Sequence, residues 1–277
     1  MAILNKTSRR NVIKTGLASL ASTAIMPSQS FAAMPKDIKP KVPGETRVVF
    51  LGGDVLHNFM AQEPAIRSIC EKAGWNVLTV HDARYVTPEL ISDADLLIIQ
   101  RWMGSLPGWV PGPIFEEAPP QDGYMSDELA DAIVDNVKNR GMGFMSLHCT
   151  VWSFRKPKFM ELLGVNPIIH GPLQIVRLHN FNQDHPITQG MKSFDIPLDE
   201  NFGAEIVNEN VTPLYETTGY TDKRRDYGGW CLDQGNGRVV GFLAGHTYFA
   251  YQDPNYLPLI WRGAHWAMKR DIPVYEG

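Results

Sequence analysis

Gly143-Phe144-Met145-Ser146-Leu147-His148-Cys149-Thr150 decides how this chain is read. The run is introduced by Gly141 and Gly143, is apolar apart from Ser146, and ends in a histidine beside a cysteine. A short apolar run of this kind reads as a strand buried on both faces of a parallel sheet. In open α/β sheets, ligands sit just beyond the C-terminal ends of the strands. His148 and Cys149 therefore stand where a catalytic group or a metal ligand is expected.

The same pattern recurs to either side. Residues 46–52 (TRVVFLG), 76–80 (NVLTV) and 94–100 (ADLLIIQ) read as earlier buried strands, and residues 239–243 (VVGFL) as a last one. Between them runs helical spacing. Ile66, Ile69 and Cys70 share one face of residues 64–73, which stop at Gly74. Residues 88–91 start a short helix. Ser126 caps a helix that runs to residue 139 with Leu129, Ile133, Val134 and Val137 as its stripe. Residues 157–163 and 254–269 are also helical. This alternation predicts an α/β fold with a doubly wound, mostly parallel sheet. Residues 165–230 break the alternation and read as an elaboration. Residues 102–123 hold five prolines and four glycines, the composition of a lid or binding loop.

The first 32 residues read as a leader. Ser8-Arg9-Arg10-Asn11-Val12-Ile13-Lys14 is a twin-arginine pattern, followed by a mildly apolar stretch and Ser30-Phe31-Ala32, a small-residue cleavage site. The apolar stretch is too short to span a bilayer stably. The expectation is export by the Tat machinery to the periplasm, with no membrane span in the mature form. Residues 33–45 read as an extended tether before a single domain over 46–277. Without the leader, 22 basic and 30 acidic residues remain, a net charge of −8. An acidic chain without a basic patch argues against nucleic acid as partner and favours neutral or cationic small molecules; a homo-oligomer stays open. Three cysteines, Cys70, Cys149 and Cys231, do not form a disulfide framework.

Metal-capable groups follow the strands. Gly52-Gly53-Asp54-Val55-Leu56-His57 follows the first, His148 the middle one, and Gly245-His246-Thr247-Tyr248 the last, with Asp199-Glu200-Asn201-Phe202 between. Parallel strands point their C-terminal ends one way, so His57, His148 and His246 can converge. Imidazoles plus a carboxylate suit Zn²⁺ or a similar divalent metal; a metal-free His/Glu acid–base cluster is equally compatible. Cys149 could be a nucleophile, but adjacent side chains on extended backbone diverge. With His148 facing the site, Cys149 reads as a buried small hydrophobe. His170 and His179 flank a strand-like run and read as surface or supporting groups. His185 and His265 read as structural, and His81 joins no constellation. Trp102, Trp109, Trp152, Tyr248 and Tyr251 are either ligand-stacking or packing aromatics.

With these residues laid out, the chain resembles the trehalose-utilisation (ThuA-like) family of the class I glutamine amidotransferase-like superfamily. The resemblance rests on Leu147-His148-Cys149-Thr150, Asp184-His185-Pro186-Ile187-Thr188-Gln189-Gly190, Asp199-Glu200-Asn201-Phe202, Gly237-Arg238-Val239, Gly245-His246-Thr247-Tyr248 and Ala264-His265-Trp266-Ala267, in that order. It implies a flavodoxin-like three-layer fold, with His148 near the place of the amidotransferase nucleophile. No acid follows His246 in the His-x-Glu manner, so glutamine hydrolysis is not expected. The resemblance also implies sugar catabolism beside dehydrogenases that make 3-keto glycosides, and a divalent metal in some relatives. Carried over, His57, His148, Glu200 and His246 are the expected metal positions, and His148, Glu200 and Tyr248 the expected catalytic ones. The expected function is hydrolysis, elimination or isomerisation of a keto-sugar or glycoside. The alternatives are a non-catalytic sugar-binding or accessory protein and a Cys149 thiol hydrolase.

Overall fold

The apolar runs are strands, and the order in which they pair places the site. The computed structural model describes residues 41–54, 56–57, 59–81, 85–102, 126–153 and 156–276. The first half comprises β1 (Arg47–Gly52), α1 (Phe59–Lys72), β2 (Asn76–Val80), α2 (Pro88–Ile91), β3 (Leu96–Gln100), α3 (Asp127–Asp135) and β4 (Gly143–Leu147). Next come α4 (Thr150–Ser153), α5 (Pro157–Leu163), β5 (Val165–Ile168), β6 (Leu173–His179), β7 (Phe194–Glu200), β8 (Gly203–Ile206) and β9 (Thr212–Gly219). The chain closes with β10 (Arg225–Gln234), β11 (Gly237–Phe242), α6 (Tyr248–Gln252) and α7 (Tyr256–Ala267).

All eleven strands belong to one sheet, ordered β2-β1-β3-β4-β11-β10-β9-β6-β7, with β8 pairing β10 and β5 pairing β8. From β2 to β11 every pairing is parallel. From β11 outward every pairing is antiparallel. The doubly wound core is therefore parallel, and the elaboration of residues 165–230 extends the same sheet rather than forming a separate body.

Alternation within the parallel strands divides the core into layers. Val48, Phe50, Ile98, Met145, Val240 and Phe242 share one cluster with Ile66 and Ile69 of α1 and Leu259 and Ile260 of α7. Phe144, of the opposite parity, meets Phe159 of α5 edge to face at 5.6 Å. Helices thus cover both faces, the flavodoxin-like three-layer arrangement. Burying a large apolar side chain contributes roughly 1.5–3 kcal/mol, so these strands are the main hydrophobic anchor.

Local departures from the sequence reading have local causes. Helix α1 begins at Phe59, so Pro64 lies inside it rather than opening it, and the ring has no N–H to bond back to residue 60. Ser126 caps α3 by accepting from the Leu129 N–H, but beyond Asp135 the helix widens into one π turn, Asn136–Arg140, before Gly141 (φ 93°) ends it. Helix α7 starts at Tyr256 rather than at residue 254, and a short helix, α6, precedes it where the sequence reading places no element. The leader and the Pro-rich loop at 103–125 lie outside the described residues. No helix among the described residues is long and apolar enough to cross a membrane.

Gly241 of β11 faces Trp230 of β10, whose indole is fully buried and donates to the Leu163 carbonyl at 3.0 Å. A Cβ at Gly241 would overlap that ring. Gly241→Ala should lower unfolding free energy by about 1–3 kcal/mol, read by urea denaturation.

Candidate functional site

Because the parallel strands end level with one another, their following loops share one edge. Gly52 pairs with Gln100, Ile99 with Ser146, and Leu147 with Phe242. The Gln100 amide fixes this edge by donating to the Gly245 carbonyl at 2.6 Å. His57, His148 and His246 project from three of these ends. Their ring centroids are 4.9, 4.9 and 5.3 Å apart. One ligand-capable nitrogen from each lies within 4.8 Å of the others.

His148 sits at a strained turn. Its φ is 45°, left-handed for a β-carbon-bearing residue, which costs about 1–3 kcal/mol. Its backbone N–H still bonds the Phe242 carbonyl at 2.7 Å, extending the β4–β11 ladder. The ring Nδ1 meets the Leu243 carbonyl at 2.8 Å. That contact requires a proton on Nδ1 and leaves a lone pair on Nε2. This strand-to-helix bend corrects the expected divergence of His148 and Cys149. The alternation rule presumes extended backbone, and here the chain turns sharply. Cys149 is buried as expected, but its Sγ lies 3.6 Å from His57 Nδ1.

Asp54 orients His57. Its two carboxylate oxygens lie 2.7 and 2.8 Å from His57 Nδ1 and accept the backbone N–H groups of Leu56, His57 and Trp102. Nδ1 is therefore the nitrogen that donates to Asp54, and in the neutral ring the lone pair falls on Nε2. Burial works to raise the Asp54 pKa, but His57 and the backbone donors hold it below the ordinary range.

Glu200 enters from the elaboration at the end of β7. Its Oε2 is 3.1 Å from His246 Nδ1 and 3.6 Å from His148 Nε2, and its Oε1 is 3.3 Å from His170 Nδ1. The His170 ring stacks on Phe202, which in turn meets His148 edge-on at 4.5 Å. Asp199, fully buried, accepts the N–H groups of Glu200, Gly245 and His246, each at 2.8 Å. One carboxylate thereby locks the backbone of both Glu200 and His246.

Burial is the largest influence on each charge and is opposed differently at each group. It pushes His148 down to about 4 against the pull of Glu200. It opposes a charge on His246 too, but there Glu200 and the nearby aspartates win and raise the pKa. It would raise Glu200, but His148 and His246 hold that carboxyl well below the usual range. Asp199 is raised to about 6 by burial despite its three backbone donors. The site thus pairs a neutral His148 with an ionised Glu200 and a proton-retaining His246.

Two acceptors, His148 Nε2 and the Glu200 carboxylate, converge on His246 Nδ1, which is 3.3 Å from the former. Such an arrangement needs a hydrogen on His246 Nδ1, which a neutral or a charged ring supplies, or a cation in its place. Three imidazoles and one carboxylate are a donor set that zinc and similar divalent ions take. The side chains present fit such an ion.

The thiol reading fits less well. Cys149 and Asp54 face the same nitrogen of His57, whereas a triad needs its acid and nucleophile on opposite nitrogens. Burial also raises the Cys149 pKa well above the ordinary thiol value. Tyr248 is not joined to the histidines or to Glu200 by any hydrogen bond among the described residues. It is 44 % exposed, packs on Phe249 at 4.7 Å, and lines a cavity beside α1. His179 bonds Thr218, His185 lies against Cys231 at 3.4 Å, and His265 bonds the Trp261 carbonyl between two indoles. His81 lies on the exposed loop after β2. Trp102 donates its backbone N–H to Asp54, Trp152 lies edge-on to Phe202, and Trp109 lies outside the described residues.

A family model described as trehalose utilisation (ThuA) matches residues 47–267. No curated protein matches the sequence. Among solved structures, a ThuA-like protein from Parabacteroides merdae superposes with a TM-score of 0.65 at 17% identity, over 83% of this chain and 93% of that one. A ThuA-like protein from Bacteroides uniformis gives 0.60 at 14% identity, over 83% and 95%. A β-galactosidase from Rahnella sp. R3 gives 0.52 at 13% identity, over 83% of this chain and 32% of that one. At these identities the likeness is one of fold.

The His148 shift has a definite sign. Folding excludes a proton that the unfolded histidine binds, so the stability it contributes is complete above about pH 6.5. That contribution is lost as pH falls toward about 4. In an NMR titration the His148 ring should stay neutral down to about pH 5, while His246 retains its proton above about pH 6.5. An ordinary His148 titration near pH 6.5 would contradict the burial argument.

Proposed function

The chain belongs to the trehalose-utilisation (ThuA) family, and from that premise we propose that it is an exported enzyme of sugar catabolism. Its substrate in this reading is a keto-sugar or glycoside, which it hydrolyses, eliminates or isomerises next to the carbonyl. The observation that carries the reading is the meeting of His57, His148 and His246 within 4.8 Å, with Glu200 in contact with two of them.

The chemistry follows from the protonation states. A hydrogen on the carbon beside a carbonyl becomes acidic when negative charge can pass to the oxygen. Glu200 is present as a carboxylate, the form that takes such a proton. His246 keeps a proton above the ordinary histidine range and can pass it to the oxygen or to a leaving group. Asp199 holds both in register through their backbone N–H groups. His57, His148, His246 and Glu200 are the residues that would hold a divalent ion, which would take the place of the His246 proton and of its donating role. When bound there, such an ion supplies Lewis-acid stabilisation of the carbonyl oxygen. Asp54 and the Leu243 carbonyl orient the imidazoles, as outer hydrogen bonds do around metal-binding histidines.

Export follows from the twin-arginine pattern at Arg9 and Arg10. Translocation by the Tat machinery after folding would let the ion be loaded in the cytoplasm. Replacing both arginines by lysine should retain the protein in the cytoplasm on fractionation.

Activity is tested with 3-keto-trehalose. Glu200→Gln should lower kcat by roughly 10²–10⁴-fold, and chelation should abolish turnover that Zn²⁺ or Mn²⁺ restores. Cys149→Ala should retain turnover. Turnover insensitive to chelator would leave a metal-free His/Glu mechanism. Sugar binding without turnover by the wild type would make the protein an accessory binder.

A further inference from the structure

A cavity of about 360 Å³ lies between the first turns of α1 and the short helix α6. Met60, Ala61, Pro64 and Ala65 form one wall, and Tyr248 and Gln252 the other. Both helices start where site loops end. Met60 is the third residue after His57, and Tyr248 the second after His246. The cavity therefore opens at the same sheet edge as the histidine cluster.

Its lining selects a class of ligand. Among the described residues that line it there is no Lys, Arg, His, Asp or Glu. A phosphate or carboxylate entering it would lose hydration without gaining a counter-charge. A sugar ring meets the opposite situation. The apolar wall and the Tyr248 ring suit its C–H face, and the Gln252 amide offers both donors and an acceptor to hydroxyls. Tyr251 also borders the space, but its hydroxyl is committed to Gln100, so it contributes shape. The volume falls within the roughly 300–1,000 Å³ of small-molecule sites.

We infer that this cavity is a second sugar subsite, holding the part of a neutral, unphosphorylated glycoside that extends beyond the ring at the histidines. The inference rests on the reading of the histidine cluster as a carbohydrate site. It gives Tyr248 a binding role in place of a proton-donating one. It also sets the substrate as a glycoside of at least two units rather than a free monosaccharide.

Ligand-observed NMR titration of the full chain with trehalose and with glucose tests this. Ala61→Trp fills the cavity, and Tyr248→Ala removes its aromatic wall from the exposed end of α6. Both should weaken trehalose binding about tenfold or more and leave glucose within about twofold, while Tyr248→Phe stays within about threefold of wild type. If Ala61→Trp disturbs α1, Tyr248→Ala still decides the question. Unchanged trehalose binding in Tyr248→Ala, or parallel loss of both sugars, would overturn the subsite. A wild type that binds neither these sugars nor 3-keto-trehalose would overturn the carbohydrate function itself, and one that binds only 3-keto-trehalose, with Tyr248→Ala unaffected, would overturn the subsite. A change of oligomeric state in Ala61→Trp by sedimentation velocity would make the cavity a contact between copies, also overturning the subsite.

Discussion

Asp199 is the constraint on which the site depends. It is a fully buried carboxylate that accepts the N–H groups of Glu200, Gly245 and His246. Those three bonds join the end of an antiparallel edge strand, β7, to the loop after the last parallel strand, β11. Strand order alone would leave β7 at the far rim of the sheet, with β10, β9 and β6 between it and β11. The Asp199 clamp carries its terminus back to the parallel core and delivers Glu200 to the histidines. Burying a carboxylate is costly, and its pKa is raised accordingly. The three donors offset much of that cost and specify a single geometry.

The same economy governs His148. A neutral imidazole avoids the penalty of a buried cation, and its Nδ1 contact to Leu243 selects the tautomer that turns a lone pair toward Glu200 and His246. Its left-handed φ occupies the sharp strand-to-helix bend after β4. Here the bend presents an imidazole, and the neighbouring thiol is buried against a nitrogen that Asp54 already holds.

The parallel core was legible because its signals are local. Apolar runs of five or six residues, glycine stops and one capped helix place β1 to β4 and β11, and parallel strands must send His57, His148 and His246 to one edge. The Asp199–Phe202 stretch stands among the metal-capable groups, but the place of Glu200 at the site comes only from the resemblance, since nothing in the pattern of β7 says that an edge strand returns to the core. Asp54 and Asp199 stand in the quoted stretches without a role of their own, and His170, read as a surface or supporting group, contacts Glu200. Asp54 looks like an ordinary turn residue, although its position three before His57 could have marked it as a partner. His170 reaches Glu200 through the antiparallel elaboration, whose packing no periodicity encodes. The expected divergence of Cys149 failed because alternation presumes extended backbone. Tyr248 turned outward because Thr247, accepting from the Phe249 N–H, caps a one-turn helix there.

We propose that three strand-end histidines and Glu200 share one cation. X-ray absorption at the metal edge, on protein folded in the cytoplasm and purified without added metal, tests it most directly. A shared cation gives a nearest shell of nitrogen and oxygen at about 2.0–2.2 Å with imidazole scattering beyond it. A shell containing sulfur at about 2.3 Å would place the ion on Cys149 instead, and an edge lost without change in turnover would contradict a metal at the site.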